Sequence, residues 1–269
     1  LTEQEEDTGF LLSCQARARS DMELHYAYPL SLLRKTETTV TAVVQAIETM
    51  AMNVVRVQVQ PEQPLDFLPG QYVNIKIPGA DRERSFSFVN APNEPGLYEF
   101  YIRILPDGLM SNYLRDQVQV GDTLRLRGPF GQFFLRKPRS SEILMLAGGT
   151  GVGPMLSMIE HMAKHYVEKP QVTLLYGANQ CTELVDLSAL VPYRDWVTVR
   201  TIAVEGDPGS DAVKGFVTDL IRADDIQDKA LLDAYLCGPP PMIEASRTAL
   251  ERLGVTPERI FAEKFLPAA

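Results

Sequence analysis

The sequence has few cysteines, a single tryptophan and no long apolar run. Its three cysteines, Cys14, Cys181 and Cys237, are far apart and form no C-x-x-C pair, so we expect no disulfide framework. No stretch approaches the roughly 20 apolar residues that cross a bilayer. The beginning of the sequence also lacks the charged, apolar and small-residue segments of a secretion signal. These absences predict a soluble, cytoplasmic protein that has no membrane partner.

Basic residues are also fewer than acidic ones. The chain has 26 Lys and Arg against 35 Asp and Glu, which gives a net charge of −9. A chain of this balance is not expected to bind nucleic acid in general. Its 269 residues, of which 45% are hydrophobic, are enough for two globular domains.

The first half of the sequence alternates with the period of a β-strand. In residues 54–60, Val55, Val57 and Val59 face one way and the polar residues between them face the other. The same period recurs at 72–77, 85–89, 98–104 and 123–127, with turn signals between the runs and one helical stretch at 111–118. This pattern predicts a small antiparallel β-barrel over 35–138.

The second half changes to continuous apolar runs, which are typical of strands buried on both faces of a parallel sheet. These runs are 142–147, 171–178, 197–204 and 233–237. Helix-like stretches follow them at 154–166, 183–190, 215–223 and 240–253. Strands that alternate with helices predict a doubly wound parallel sheet, an α/β domain over 139–269.

A glycine-rich turn, GGTGVGP at 148–154, follows the first buried strand. An ATPase loop would need Lys and Ser or Thr where Pro154 and Met155 stand, and the G-x-G-x-x-G fingerprint fails at Pro154. What remains is exposed backbone N–H groups followed by a proline in the first helical turn, a combination that favours a pyrophosphate over a turn with no ligand. The run YLCGPPPM at 235–242 repeats this arrangement after another buried strand, and both should lie beyond the carboxyl ends of the strands.

Nine motifs in one order make the sequence recognisable. Over residues 35–269 it resembles the ferredoxin–NAD(P) reductase superfamily. Within that superfamily it is similar to the reductase components of ring-hydroxylating dioxygenases, such as benzoate dioxygenase reductase. The resemblance implies a six-stranded antiparallel barrel that binds FAD and an α/β domain that binds NAD. The motifs are PGQYVNIKIP (69–78), RSFSF (84–88), YIRI (101–104), GLMSNYL (108–114), GPFGQF (128–133), LAGGTGVGPML (146–156), YGAN (176–179), YLCGPPPM (235–242) and FAEKF (261–265).

The resemblance also implies a set of FAD-binding residues. Arg84 would reach the pyrophosphate of FAD, and the Ser87 hydroxyl would lie near flavin N5 as the catalytic residue. Phe86 replaces the more usual tyrosine of this motif, so a phenol hydrogen bond is lost. The full set is Arg84, Ser85, Phe86, Ser87, Tyr101, Ile102, Arg103, Gly108, Leu109, Met110, Ser111 and Phe265.

These motifs also have plain structural interpretations. RSFSF can be an ordinary strand with two inward phenylalanines, and GLMS can be a helix start with Ser111 as its N-cap. Glu263 lies close in sequence to Phe265, and it either tunes the flavin site or is a solvated charge.

The NAD site implied by the resemblance surrounds the two glycine motifs. Between 177 and 190 there is no Lys or Arg, whereas Glu183 and Asp186 are present, which favours NADH over NADPH. Arg194 and Arg200 are the nearest basic residues beyond that loop. The set is Gly148, Gly149, Thr150, Gly151, Pro154, Tyr176, Gly177, Cys237, Gly238, Pro239 and Met242.

Residues 1–34 pose a separate question. The stretch 5–24 resembles the C-terminal end of a plant-type ferredoxin of the β-grasp fold, in which Cys14 would be the fourth ligand of a [2Fe–2S] cluster. The C-x₄-C-x₂-C run that supplies the other ligands is missing from this sequence. We therefore expect 1–34 to be a remnant and linker of a longer protein, or Cys14 to be a buried thiol.

The function implied is an NADH-dependent flavoprotein reductase. It would pass electrons from NADH through FAD to a [2Fe–2S] centre, and from there to a terminal oxygenase component or its ferredoxin. One alternative is a reductase that serves a monooxygenase, a haem protein or free ferredoxin. An alternative of another class is a regulatory subunit that binds flavin or nucleotide without catalysis.

Overall fold

The computed structural model describes residues 19–21, 23, 37–92, 96–138, 140–206 and 213–265. Cys14 and most of the ferredoxin-like segment therefore lie outside the described residues. Within the part described, no helix has the length and hydropathy needed to cross a membrane.

The first sheet contains six antiparallel strands in the order β4-β3-β6-β1-β2-β5. A further antiparallel bridge between Phe88 and Phe100 joins the end of β4 to β5 and closes the barrel. Alternate side chains such as Val57, Val73 and Ile75 point inward and are fully buried. The elements are β1 (Thr38–Ala51), β2 (Val54–Pro61), β3 (Tyr72–Lys76), β4 (Glu83–Ser87), β5 (Tyr98–Arg103), α1 (Leu109–Asp116) and β6 (Thr123–Phe130).

The second sheet is parallel, with the order β10-β9-β8-β7-β11-β12. From β7 the chain winds outward through β8 and β9, and then returns to β11 on the other side of β7. The topological switch point therefore lies between β7 and β11, where ligands bind in open α/β sheets. The elements are β7 (Glu142–Gly148), α2 (Val152–His165), β8 (Gln171–Gln180), β9 (Val197–Glu205), β10 (Val213–Lys214), β11 (Asp233–Gly238), α3 (Pro240–Arg252) and β12 (Ile260–Lys264).

A barrel followed by a parallel sheet confirms the fold class, but two of the helices predicted in the second half were wrong. The stretches 183–190 and 215–223 form only short 3₁₀ turns, at Cys181–Glu183, Ser188–Tyr193, Val217–Leu220 and Ala223–Asp225. Pro192 sits inside one turn, and the carboxylate of Asp219 accepts a hydrogen bond from the backbone N–H of Phe216. Side-chain bonds of this kind compete with a regular helix.

Helix α2 connects the two sheets directly. The buried Ser157 hydroxyl donates a hydrogen bond to the backbone carbonyl of Asn90, at 2.8 Å. One turn later, the Glu160 carboxylate accepts a bond from the backbone N–H of Ala91, at 2.6 Å. Because Asn90 follows shortly after β4, these two bonds fix the glycine-led helix relative to the strand that carries Ser87.

Replacing Ser157 with alanine should lower the free energy of unfolding of the FAD-loaded protein by about 1–3 kcal/mol, because the buried Asn90 carbonyl loses its donor. Denaturant unfolding measures this change. The matched control is Ser246→Ala in α3, since the Ser246 hydroxyl is equally buried and has no hydrogen-bond partner among the described residues. Equal destabilisation by the two substitutions would contradict a specific bond between the sheets.

Candidate functional site

The ends of β7 and β11 approach each other so closely that only glycine fits between them. A Cβ on Gly151 would lie 2.3 Å from the carbonyl oxygen of Cys237, and one on Gly148 would lie 2.5 Å from Sδ of Met242. A Cβ on Gly238 would be 3.2 Å from Cα of Gly148. The two glycine motifs therefore form one crevice at the switch point of the sheet.

The floor of this crevice presents backbone N–H groups. Gly149 has φ of 55°, and nothing lies within 4 Å of the position a Cβ would take, so the turn is open on that side. Helix α2 begins after Gly151 without a side-chain cap, and Pro154 lies in its first turn. Helix α3 also begins without a side-chain cap after the exposed Pro239, but Pro239, Pro240 and Pro241 have no N–H groups to offer a ligand. The uncapped start of α2 beside an open glycine turn fits the pyrophosphate of a dinucleotide.

Two of the residues predicted to bind NAD, Tyr176 and Gly177, make contacts within the parallel sheet. Tyr176 is fully buried, and its hydroxyl accepts a hydrogen bond from the backbone N–H of Val185, at 3.1 Å. Burial raises the pKa of Tyr176 to about 12. Gly177 faces Val217, which lies 3.1 Å from where a Cβ would be. Both residues therefore pack inside the sheet near its carboxyl edge, and the Tyr176 side chain does not reach the crevice surface.

Strand β4 brings Ser87 to the mouth of the crevice. Its hydroxyl donates a long hydrogen bond, 3.4 Å, to Oε2 of Glu263 on β12. Glu263 lies opposite Cys237 in the parallel register. A serine of the barrel and two residues of the parallel sheet, far apart in sequence, therefore converge at one point.

Burial governs the charges at this point. It raises the pKa of the Glu263 carboxyl to about 7, against the opposing effect of the hydrogen bond from Ser87. Burial and then the charge of Glu263 raise the pKa of the Cys237 thiol, so this cysteine stays protonated and is not a nucleophile. The carboxyl is therefore the group here that can change its charge near neutral pH.

The sequence interpretation missed two members of this group, Tyr72 and Gly131. Tyr72 is paired with Ser87 in the β3–β4 register, and its pKa is raised by burial and by Glu263. Gly131 has φ of 99°, and a Cβ there would lie 3.0 Å from the Tyr72 ring and 3.5 Å from a Glu263 carboxylate oxygen. The only signal in the sequence was the second glycine of GPFGQF, which marks a close approach.

Several of the predicted flavin residues belong to the barrel interior. Ile102 and Met110 are buried in its core, and the partly buried Phe86 packs against that core. Arg84 donates to its neighbouring backbone carbonyl at Glu83, 2.9 Å away. The exposed Ser85 donates to Asn74, at 2.7 Å. Of the β4 residues predicted, Ser87 is the one joined to the parallel sheet.

Strand β5 of the barrel comes close to the start of α2, through Tyr101. The partly buried Tyr101 ring has an atom 3.9 Å from where a Cβ on Gly153 would be, and burial raises its pKa to about 12. Arg103 points away toward the loop after β8 and forms an ion pair with Glu183 at 2.7 Å. The backbone N–H of Phe265, at the other end of the site, donates to the carbonyl of Gly238 at 2.9 Å.

The proposed N-cap role of Ser111 was wrong. Helix α1 begins at Leu109 after Gly108, two residues earlier than predicted, and it has no side-chain cap. Ser111 is buried inside the helix, and its hydroxyl accepts a bond from the backbone N–H of Leu105 at 2.9 Å. The uncapped N–H groups of this helix, beside the exposed Leu109, are free to meet a phosphate.

The residues around Ser87 and the start of α1 can be compared with the needs of a flavin nucleotide and of a metal cluster. An uncapped helix, the outer face near Tyr72 and Ser87, and the Phe265 segment together fit a ligand that has a flat ring and phosphates. A metal cluster finds no such fit, since no group of three or more His, Cys, Asp or Glu side chains converges within the part of the chain that is described.

The comparisons with known proteins agree with this geometry. Residues 41–135 match the model of the oxidoreductase FAD-binding domain, and residues 145–248 match that of the oxidoreductase NAD-binding domain.

Two curated relatives and one solved structure show how far the likeness extends. The anthranilate 1,2-dioxygenase electron transfer component of Acinetobacter baylyi is 35% identical over 95% of this chain and 76% of its own length. Methane monooxygenase component C of Methylosinus trichosporium is 38% identical over 82% of this chain and 67% of its own. The crystal structure of an Amycolatopsis cytochrome P450 reductase aligns with a TM-score of 0.80 at 28% identity, over 100% of this chain and 82% of that one.

Matches to both domain models and relatives of this length confirm the resemblance seen in the sequence. They also confirm an oxidoreductase that uses FAD and acts on NAD(P)H. The chain belongs to the ferredoxin reductase family of FAD- and NAD-binding oxidoreductases, among which its relatives are electron transfer components of dioxygenases and monooxygenases.

Proposed function

We propose that this chain oxidises NADH with FAD and delivers the electrons, through a [2Fe–2S] centre, to a terminal ring-hydroxylating dioxygenase. The observation that carries the proposal is the convergence of Ser87 with Cys237 and Glu263 beside the open glycine crevice. The described residues offer no ligand set for a cluster, so the chemistry assigned to them ends at the flavin. The expected compartment is the cytoplasm, where separated cysteines stay reduced.

FAD, when bound, takes two electrons from NADH as a hydride and releases them singly. The chain would hold it on the barrel, with its phosphates at the start of α1 and near Arg84. The flavin ring would lie between β4 and the segment that ends at Phe265. Ser87 would hold the reacting edge of the ring by a hydrogen bond, and the neighbouring protein surface would keep water out.

The pyridine nucleotide would lie across the carboxyl edge of the parallel sheet. Its pyrophosphate would meet the N–H groups of the 148–154 turn and of the start of α2. Met242 and Cys237 would then border the nicotinamide. The loop after β8 has Glu183 and Asp186 but no Lys or Arg of its own to bind a 2′-phosphate, and the nearby Arg103 is already paired with Glu183, which supports NADH as the substrate.

The acceptor is proposed from the relatives. The anthranilate dioxygenase component favours a ring-hydroxylating dioxygenase or its ferredoxin as partner. The likeness to methane monooxygenase component C keeps a monooxygenase as the second candidate. Assays with each purified oxygenase, scored by product formed per NADH, separate the two.

Anaerobic mixing with NADH tests the proposal. The FAD-loaded protein should lose its yellow absorbance rapidly, and one NADH should reduce one FAD. We expect kcat/KM for NADH to exceed that for NADPH by about tenfold or more, because one charged contact is worth about 1.5–3 kcal/mol. A preparation that binds both cofactors yet stays yellow would identify a binding subunit, and equal kcat/KM values would reject the NADH assignment.

Replacing Ser87 with alanine should slow flavin reduction by about 10- to 100-fold while FAD stays bound, since one positioning hydrogen bond is lost. Stopped-flow absorbance measures this rate at saturating NADH. The matched control is Ser85→Ala on the same strand, because the exposed Ser85 side chain bonds only to Asn74 within the described residues. Equal rates for the two variants would remove Ser87 from the reaction.

Glu263 should make stability depend on pH. Its pKa of about 7 lies above the ordinary carboxyl value, so the folded protein holds this proton more tightly than the unfolded chain does. The stabilisation that the protonated Glu263 contributes to folding is therefore lost as the pH rises from about 4.5 through 7. Well above pH 7 its contribution no longer changes. The free energy of unfolding of Glu263→Gln, relative to that of the wild type, should therefore increase by about 1–3 kcal/mol between pH 5 and pH 8.

Denaturant unfolding at several pH values measures this difference. Glu244→Gln, which changes a half-exposed glutamate paired with Lys264 of the same strand, is the control. If the gap between Glu263→Gln and the wild type does not change with pH, Glu263 is not the buried titrating group.

A further inference from the structure

Three contacts hold the loop that follows β8, which are two hydrogen bonds and one ion pair. Its first turn, Cys181–Glu183, carries Thr182, whose carbonyl accepts a hydrogen bond from the backbone N–H of Met52 at 2.7 Å. Met52 belongs to the turn between β1 and β2 of the barrel. Further along, the backbone N–H of Val185 donates to the buried Tyr176 hydroxyl, at 3.1 Å. The barrel and the parallel sheet therefore both determine the shape of this loop.

The third fastening is the ion pair between Arg103 and Glu183. Nη2 of Arg103 lies 2.7 Å from Oε1 of Glu183. The glutamate side chain is only 12% exposed, whereas the arginine is 44% exposed. A carboxylate so far removed from water needs a cation beside it, so loss of the arginine would leave a poorly solvated charge. This pair is therefore stronger than the usual exposed pair, which contributes little.

The two residues of the pair come from different sheets. Arg103 ends strand β5, which also carries Tyr101 beside the start of α2. Glu183 follows strand β8, the direct neighbour of the strand that opens into the glycine turn. In an open α/β sheet the outer half of a dinucleotide extends along this edge. The pair thus joins the barrel to the outer part of the crevice.

The second acid of the loop has a different role. The Asp186 carboxylate accepts bonds from the hydroxyl of Ser188 at 2.8 Å and from its backbone N–H at 2.9 Å. These bonds lower the pKa of Asp186, and they close the loop on itself. Glu183, by contrast, fastens the loop to the barrel.

We propose that Arg103 and Glu183 are positioning residues whose ion pair holds the loop 181–187 against the barrel and thereby sets the affinity for the pyridine nucleotide. The inference rests on the proposed function, because it assumes that NADH occupies the crevice. The pair takes no part in the transfer of hydride. It follows that the charges matter to KM only as a pair and can be exchanged.

The test compares Arg103→Gln, Glu183→Gln, the double variant, and the charge exchange Arg103→Glu with Glu183→Arg, all loaded with FAD. Either single substitution should raise KM for NADH about three- to tenfold. For Glu183→Gln, which lies outside both cofactor-binding sets, the flavin reduction rate at saturating NADH should stay within about twofold of wild type, because the reacting groups are untouched. The double variant should be no worse than the single ones, since each removes the same interaction, and the charge exchange should recover most of the lost affinity.

Three results would overturn the proposal. If the increases in KM from the two single substitutions multiply in the double variant, the residues act independently. A large effect of Arg103→Gln with none of Glu183→Gln, or loss of FAD from the arginine variant alone, would mean that Arg103 holds a cofactor directly. Unchanged KM in all four variants would show that the loop needs no fastening.

A control pair isolates the effect of losing an ion pair as such. Lys76 and Asp81 form an equally short pair, 2.6 Å, within one hairpin of the barrel, and Lys76→Gln with Asp81→Asn should leave KM unchanged. The wild type separates this inference from the proposed function. If NADH fails to bleach the wild-type flavin, the proposed function fails. If bleaching is normal and the ion-pair variants show no coupling, only the present inference fails.

Discussion

The structure depends on a contact between two stretches of backbone, the glycine turn after β7 and the end of β11. The position of a Cβ on Gly151 is already taken by the carbonyl of Cys237. Any side chain at Gly151 would push the two strand ends apart, widen the crevice and move the start of α2. Since α2 bonds to the loop that follows β4, the same displacement would shift Ser87. One steric constraint therefore controls both halves of the site.

Electrostatics complete the arrangement. The site contains few charges of its own, and those it has are buried or paired. Burial raises the pKa of Glu263 to about 7, whereas Glu183 forms an ion pair with Arg103. In the proposed arrangement the cofactor phosphates would meet Arg84 and backbone N–H groups, the latter carrying only partial charge. A chain with a net charge of −9 can in this way hold two anionic cofactors without a basic surface.

The fold and the outline of the site could be predicted from sequence because both follow from local patterns. Alternating residues predicted the barrel strands, and continuous apolar runs predicted the parallel strands. The glycines near 148–154 predicted the crevice because a close approach of two backbones requires them. The helices expected at 183–190 and 215–223 failed because side-chain bonds and Pro192 favour short turns there. Composition alone does not show that competition.

The parts that could not be predicted depend on contacts between distant residues. The pairing of Ser87 with Glu263, and the position of Tyr72 beside both, join three strands that no local pattern relates. The pairing of Arg103 with Glu183 likewise needs both sheets in place. Phe86 and Met110 were assigned to the flavin by motif, and the structure shows Met110 in the barrel core and Phe86 partly buried against it, so their contact with the flavin stays a prediction. A motif identifies a segment, and packing decides which side chains of that segment reach a ligand.

The central claim is that the crevice holds NADH with one face of its nicotinamide against the flavin. The most direct measurement uses NADH carrying deuterium at C4 in either the pro-R or the pro-S position, with flavin reduction followed in a single turnover. The predicted result is a slower rate for one of the two labelled forms and an unchanged rate for the other, because a rigid glycine crevice presents a single face. Equal slowing of both forms, or of neither, would contradict direct hydride transfer within the crevice.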